Sequence, residues 1–193
     1  RYESLEELDQ ERKDLVVAAQ EIANQNPALS DQLALRHQDK PDDILYGVIT
    51  KESQVDLAIC NPPFHQSAEE AQQGTNRKVS NLTGQQVKNA ALNFEGQPNE
   101  LWCKGGERKF IQTYIRESQK FHTNCFWYSS LVSKQSNLKA IQDALDSAGA
   151  VQVHTIPMGQ GNKTSRIVTW TFLTKAQQKE WKNTRWKTAS EVK

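Results

Sequence analysis

The residues best equipped for chemistry in this chain are the consecutive Asn61-Pro62-Pro63-Phe64. They follow the apolar run VDLAIC, residues 55–60, which reads as a buried and parallel strand. Proline has no N–H, so the chain cannot continue as a central strand and must leave the sheet here. Two acceptors stand at that exit, the Asn61 side-chain carbonyl and the Pro62 backbone carbonyl freed from the ladder. Pro63 stiffens the turn, and Phe64 offers a flat face for stacking. The same residues also serve as a plain strand terminator, with the prolines stopping the strand and Phe64 capping the core. No cysteine or histidine cluster accompanies them. Cys60, Cys103 and Cys125 are odd in number, widely spaced and without a CxxC pair, so neither a disulfide framework nor a zinc site is indicated. His65, His122 and His154 are scattered, as structural or exposed histidines are.

The surrounding elements must hold that turn in place. Residues 3–24 read as a helix, with Leu5, Leu8, Leu15, Ala18, Ala19 and Ile22 at three- and four-residue steps and a Ser4/Glu7 capping box. Asn26-Pro27 ends it. Leu33–Arg36 alternates like a short strand, and Asp42–Ile49 is expected to be a short helix. After Phe64 comes a polar stretch of about 35 residues, rich in Gly, Asn and Gln, expected as a long loop that is functional or partly disordered. Glu107–Lys120 is an amphipathic helix with Phe110, Ile111, Tyr114 and Ile115 on one face. Residues 124–132 are a strand, and 137–149 a helix capped by Gly149. VQVHTIPM (151–158) and SRIVTWTFL (165–173) form an antiparallel hairpin. Residues 175–193 are a polar helix or a fraying tail. Its Lys175, Lys179, Trp181, Lys182, Arg185, Trp186 and Lys187 suit either packing on the sheet or contact with phosphates and bases. The alternation implies an α/β fold, mostly parallel, closed by the antiparallel C-terminal hairpin. Ligands in such sheets bind at the carboxyl ends of the strands, where Asn61 lies.

Composition narrows the partners. The chain has 193 residues, 24 Lys+Arg against 23 Asp+Glu, and a net charge of +1. Bulk charge therefore selects neither an acidic nor a basic partner. No run approaches the roughly 18–20 apolar residues of a membrane helix, and residues 1–14 are not a signal-peptide core. A reducing, cytoplasmic setting is the expectation, with no membrane, no metal and a monomeric state.

Apolar strand, Asn-Pro-Pro-aromatic and polar stretch together resemble motif IV of the S-adenosylmethionine-dependent amino-methyltransferases. That motif occurs in adenine-N6 enzymes of DNA and RNA and in enzymes that methylate protein glutamine. Three segments discriminate further: NPPF itself, W-C-x-G-G-E at 102–107 and G-x-x-x-S-R-x-V-x-W-x-F at 161–172. Their combination resembles the RlmF family of large-subunit ribosomal RNA adenine-N6 methyltransferases and its eukaryotic relative acting on U6 small nuclear RNA. The likeness runs from about residue 15 to residue 173.

The resemblance implies a Rossmann-like methyltransferase sheet, S-adenosylmethionine as cofactor and ribosomal RNA as partner. It implies that Asn61, Pro62, Pro63 and Phe64 are the catalytic motif, with Asn61 also touching the cofactor. An adenine amine is a poor nucleophile, and two acceptors aimed at its N–H bonds would orient it and stabilise the charge that develops. His37-Gln38-Asp39 occupy the stretch where related folds contact the cofactor's adenine, so Gln38 is a cofactor candidate and a plain loop is the alternative. Gly105-Gly106-Glu107 are the family's turn into a helix, or simply a helix start with a favourably placed acid. Arg77, Lys78, Lys163 and Arg166 are the candidate RNA contacts, against ordinary solvated surface. A methyltransferase of this fold also needs a first strand and a glycine-rich turn for its cofactor. No such segment precedes residue 55, so residues 1–174 are expected to form the C-terminal two-thirds of a methyltransferase domain, followed by the 175–193 tail. On that reading the chain is an inactive piece of an enzyme, whether excised or naturally shortened. A protein glutamine-N5 methyltransferase and a non-catalytic RNA-binding module are the alternatives.

Overall fold

A computed structural model describes residues 5–40, 42–83, 102–160 and 163–187. The chain divides into two compact units, residues 1–50 and 51–193. Among the described residues, no helix is long and apolar enough to cross a membrane.

In the first unit, α1 (Leu5–Asn24) confirms the expected helix. It ends where the Asn26 side-chain amide donates to the Ile22 carbonyl at 2.7 Å, just before the short α2 (Pro27–Ser30). Ser4 of the expected capping box lies outside the described residues. Leu33–Arg36 is not a strand: an alternating tetrapeptide does not form one without a neighbour to complete its ladder. Asp42–Ile49 is not a helix either. Gly47 sits at φ 77°, outside helical space, and the chain turns with the Ile49 N–H donating to the Leu45 carbonyl at 2.9 Å.

The second unit carries a four-stranded sheet ordered β1-β2-β4-β3, with β1 Val55–Cys60, β2 Cys125–Val132, β3 Gln152–Gln160 and β4 Lys163–Thr171. β1 pairs parallel with β2, Val55 opposite Cys125 and Cys60 opposite Ser130. The C-terminal hairpin is antiparallel as expected, with Ile156 opposite Ile167. β4 also joins β2 antiparallel, Tyr128 opposite Trp170. The parallel pair requires a long crossover, which residues 61–124 supply. Within it the expected loop is partly α3 (Ala68–Thr83), followed by residues 84–101 outside the described set.

The core lies between the sheet and α4 (Gly106–Lys120). Ile111, Tyr114 and Ile115 of its apolar stripe are at most 2% exposed. Tyr128 and Trp170 stack at 5.9 Å, and the Tyr114 ring meets Trp170 edge-on at 5.3 Å. The polar atoms of the stacked pair are satisfied: the Trp170 indole donates to Ser118 Oγ at 3.0 Å and the Tyr128 hydroxyl to the Phe121 carbonyl at 2.8 Å. α5 (Leu138–Ala148) lies alongside α4, burying Ile141 and Leu145, and Gly149 closes it at φ 75°. The Gln119 amide of α4 donates to the last carbonyl of α5, at 2.9 Å.

The opposite face differs from expectation. β1 is apolar but not buried: Leu57 is 52% and Ile59 80% exposed, and β1 is an edge of the described sheet. The tail, in contrast, is docked. α6 (Lys175–Trp181) starts in a Thr174/Gln177 capping box and continues as a wide turn to Trp186. Trp181 packs with Phe126 and Leu173. The Asp56 carboxylate accepts from the Trp181 indole at 2.7 Å, the Trp186 indole at 3.0 Å and Arg185 at 3.3 Å.

Candidate methyl-transfer site

The end of β1 forms the turn expected from its prolines. Pro62 and Pro63 are buried, Phe64 is half-buried and Asn61 is exposed. The prolines anchor the turn while Asn61 faces outward. Neither the Asn61 carboxamide nor the Pro62 carbonyl has a hydrogen-bond partner among the described residues. The preceding Cys60 is no nucleophile. Burial pushes its thiol up to about 11, against a small opposing effect of the Ser130 hydroxyl. Burial also pushes the Cys103 thiol up.

The chain beyond Phe64 is held on three sides. His65 bridges to Trp102, and its carbonyl accepts from the Cys103 N–H at 3.1 Å. The Gln66 N–H donates to Glu70 Oε2 at 2.7 Å, and the Ser67 hydroxyl accepts from the Glu70 N–H at 3.2 Å, opening α3. Glu70 Oε1 meets Lys134 Nζ at 3.0 Å and lies 3.9 Å from His65 Nδ1. The Gln66 N–H and the Lys134 ammonium hold the Glu70 carboxyl below the usual range.

The W-C-x-G-G-E segment is the counterpart of that turn. Gly105 and Gly106 have φ of 87° and 61°, where side chains are rarely tolerated. A Cβ on Gly106 would come within 2.7 Å of Gln66 Cγ, so its backbone passes directly against the residues after Phe64. Glu107 is 1% exposed. Its carboxylate accepts from the Ser133 N–H at 2.5 Å, the Lys134 N–H at 3.2 Å and the Asn137 amide at 2.6 Å. A buried carboxylate is stabilised by such a set, which also fixes the turn after β2.

The remaining candidates are distributed differently. Gln38 belongs to the first unit and is committed to its own loop. Its amide donates to the Tyr46 carbonyl at 2.7 Å and its carbonyl accepts from the Lys40 N–H at 3.1 Å. His37 Nδ1 lies 2.8 Å from Asp39. Arg77 and Lys78 lie on α3 instead of in a loop, and Lys163 opens β4. The side chains of these three lie outside the described set. Arg166 is 7% exposed, on the buried face of β4 opposite Val132, so it does not present the surface cation expected of it. Two tail cations lie against aromatic rings, the half-buried Arg185 over Trp181 at 5.3 Å and the exposed Lys182 over Phe126 at 5.7 Å, while Lys175, Lys179 and Lys187 are exposed. Sequence reasoning missed Glu70 and Lys134 altogether and left Glu107 between two readings. A signal for Glu70 was present in Ser67-x-x-Glu70, a capping-box pattern. Among the described residues, no group of three metal-ligating side chains comes together.

A sequence profile described as RNA methyltransferase matches residues 8–174. The Ribosomal RNA large subunit methyltransferase F of Cytophaga hutchinsonii is 49% identical over 172 residues, covering 89% of this chain and 53% of that protein. The chain thus spans about half the length of the curated relatives it matches. Among solved structures, the hMettl16 catalytic domain in complex with the MAT2A 3'UTR hairpin 1 superposes with a TM-score of 0.62 at 23% identity, covering 81% of this chain and 52% of that one. The N-terminal domain of human METTL16 in complex with SAH gives 0.55 at 22% identity, covering 82% and 48%. These likenesses establish the methyltransferase fold. The chain belongs to the RNA methyltransferase family.

Proposed function

From that membership we propose that the intact gene product transfers a methyl group from S-adenosylmethionine to the N6 amine of an adenine in large-subunit ribosomal RNA, with this chain supplying the adenine-holding turn. The observation that carries the proposal is the pair of acceptors at the end of β1, Asn61 Oδ1 and the Pro62 carbonyl, neither of which has a hydrogen-bond partner among the described residues. The kinship with proteins named Ribosomal RNA large subunit methyltransferase F supports the RNA class. The SAH complex of a structural neighbour supports the cofactor.

The two acceptors would take the two N–H bonds of the amine and turn its lone pair toward the donor. Half-buried Phe64 would stack on a base withdrawn from its helix. Positioning and electrostatics then carry the reaction, and no nucleophilic side chain takes part. S-adenosylmethionine supplies the methyl group. The exposed carboxamide of Asn61, without a hydrogen-bond partner among the described residues, fits a role beside that cofactor, whereas the amide of Gln38, spent on its own loop, does not. Lys163 on β4 and Arg77 and Lys78 on α3 remain proposed phosphate contacts.

The test offers radiolabelled S-adenosylmethionine to the intact gene product with ribosomal RNA and, separately, with a release factor. Label is expected on RNA; label on protein alone would overturn the proposal. Asn61→Ala should lower kcat by about 100-fold while RNA affinity stays nearly constant.

A further inference from the structure

The acceptors at Asn61 and Pro62 are useful only if the turn bearing them is held still, and the buried prolines anchor only its middle. The contacts that hold it come from elsewhere in the chain and close on themselves. Gln66, two residues beyond Phe64, donates to Glu70 at 2.7 Å. Glu70 pairs with Lys134 at 3.0 Å. The Lys134 backbone, with Ser133 and Asn137, is gathered by the buried Glu107 carboxylate. Glu107 is joined to Gly106, where a Cβ would come within 2.7 Å of the Gln66 side chain and 3.5 Å of its backbone N. The circuit ties the ends of β1 and β2 to the first turns of α3 and α4.

We propose that Glu107 and the Glu70–Lys134 pair are positioning residues for the Asn61–Phe64 turn, an inference that rests on the methyltransferase reading above. Glu107 fixes the turn after β2 and thereby places Lys134. Lys134 reaches across to Glu70, and Glu70 holds the Gln66 N–H. None of the three touches the reacting groups. A misplacement of the acceptors by as little as 1 Å would lower turnover by about 10- to 100-fold without weakening RNA binding.

Lys134→Ala is the informative substitution, because the pair it breaks is partly exposed, at 41% and 38%, and such pairs contribute little to stability. In the intact gene product, Lys134→Ala and Glu70→Gln should each lower kcat about 10-fold, with KM for RNA within about threefold of wild type. The double variant should be no worse than either, and Lys134→Arg should restore most of the activity. Wild-type kcat in Lys134→Ala would overturn the proposal. A second readout does not depend on RNA methylation. Deuterium uptake of a peptide covering residues 61–67 should rise in Lys134→Ala while that of β3 and β4 stays unchanged, and unaltered uptake at 61–67 would overturn the proposal. If wild-type protein transfers no methyl group to RNA, the assigned reaction falls and the uptake measurement alone decides whether the circuit holds the turn.

Discussion

Gly106 and Gly149 both hold left-handed backbone, at φ 61° and 75°, yet their surroundings predict different costs of substitution. Nothing lies within 4 Å of a Cβ placed on Gly149, so Gly149→Ala should cost only the backbone penalty, about 1 kcal/mol. Gly106→Ala adds a contact of 2.7 Å with Gln66 Cγ and should cost about twice that or more. Urea unfolding of the two variants checks the order. The thiols make a second prediction at this scale. Burial raises Cys60 to about 11 and Cys125 to about 12, so both remain protonated at neutral pH. Iodoacetamide at pH 8 should modify them slowly in the folded protein, and rapid alkylation of the half-buried Cys60 would contradict its raised thiol. The glycine pair and the Asn-Pro-Pro-Phe turn were legible in the sequence because their backbone requirements are local. That Glu107 gathers Ser133, Lys134 and Asn137 was not, because its partners lie 26 to 30 residues away.

Among the elements, the reading was reliable where an apolar stripe recurs and unreliable where a cap alone starts a helix. α4 and α5 each show their buried face in the sequence, Ile111, Tyr114 and Ile115 in one and Ile141 and Leu145 in the other. α3 lacks such a stripe, and its start depends on the Ser67 hydroxyl and the Glu70 carboxylate. The tail was legible as aromatic and basic but not as docked, because its anchor, Asp56, lies more than a hundred residues earlier. That anchor predicts a pH dependence. Partial burial works to raise the Asp56 pKa, but the hydrogen bonds from Arg185, Trp181 and Trp186 outweigh it and hold the group below its ordinary value. A lowered folded-state pKa means stabilisation that is complete above the unfolded value and lost as pH falls through the folded one. The tail should therefore loosen in acid below the ordinary carboxylate range, seen as a change in tryptophan fluorescence. Asp56→Asn keeps an acceptor for the indoles but removes the charge facing Arg185, and should abolish that acid-dependent step. A step that persists in Asp56→Asn would place its origin in another carboxylate.

At the scale of the whole molecule, the two faces of the sheet are unequal. One is closed by α4 around Tyr128 and Trp170, with Trp170 fully buried. The other presents Leu57, Ile59, Ile156 and Met158, each more than 40% exposed. Sequence could not reveal this asymmetry. An apolar run such as VDLAIC is compatible with burial on both faces, and the alternation in 152–160 marks two faces without telling which is covered. The energetic consequence follows from how much water each side chain loses on folding. Ile141 of α5, at 1% exposure, is buried beside α4, and Ile141→Ala should cost about 2–5 kcal/mol through lost burial and the cavity left behind. Ile59, at 80%, has little burial to lose, and Ile59→Ser should change stability by less than about 0.5 kcal/mol. Denaturant unfolding of this chain with each substitution measures the difference directly. Equal losses from the two would mean that the Ile59 face is covered, and the sheet would then be closed on both sides.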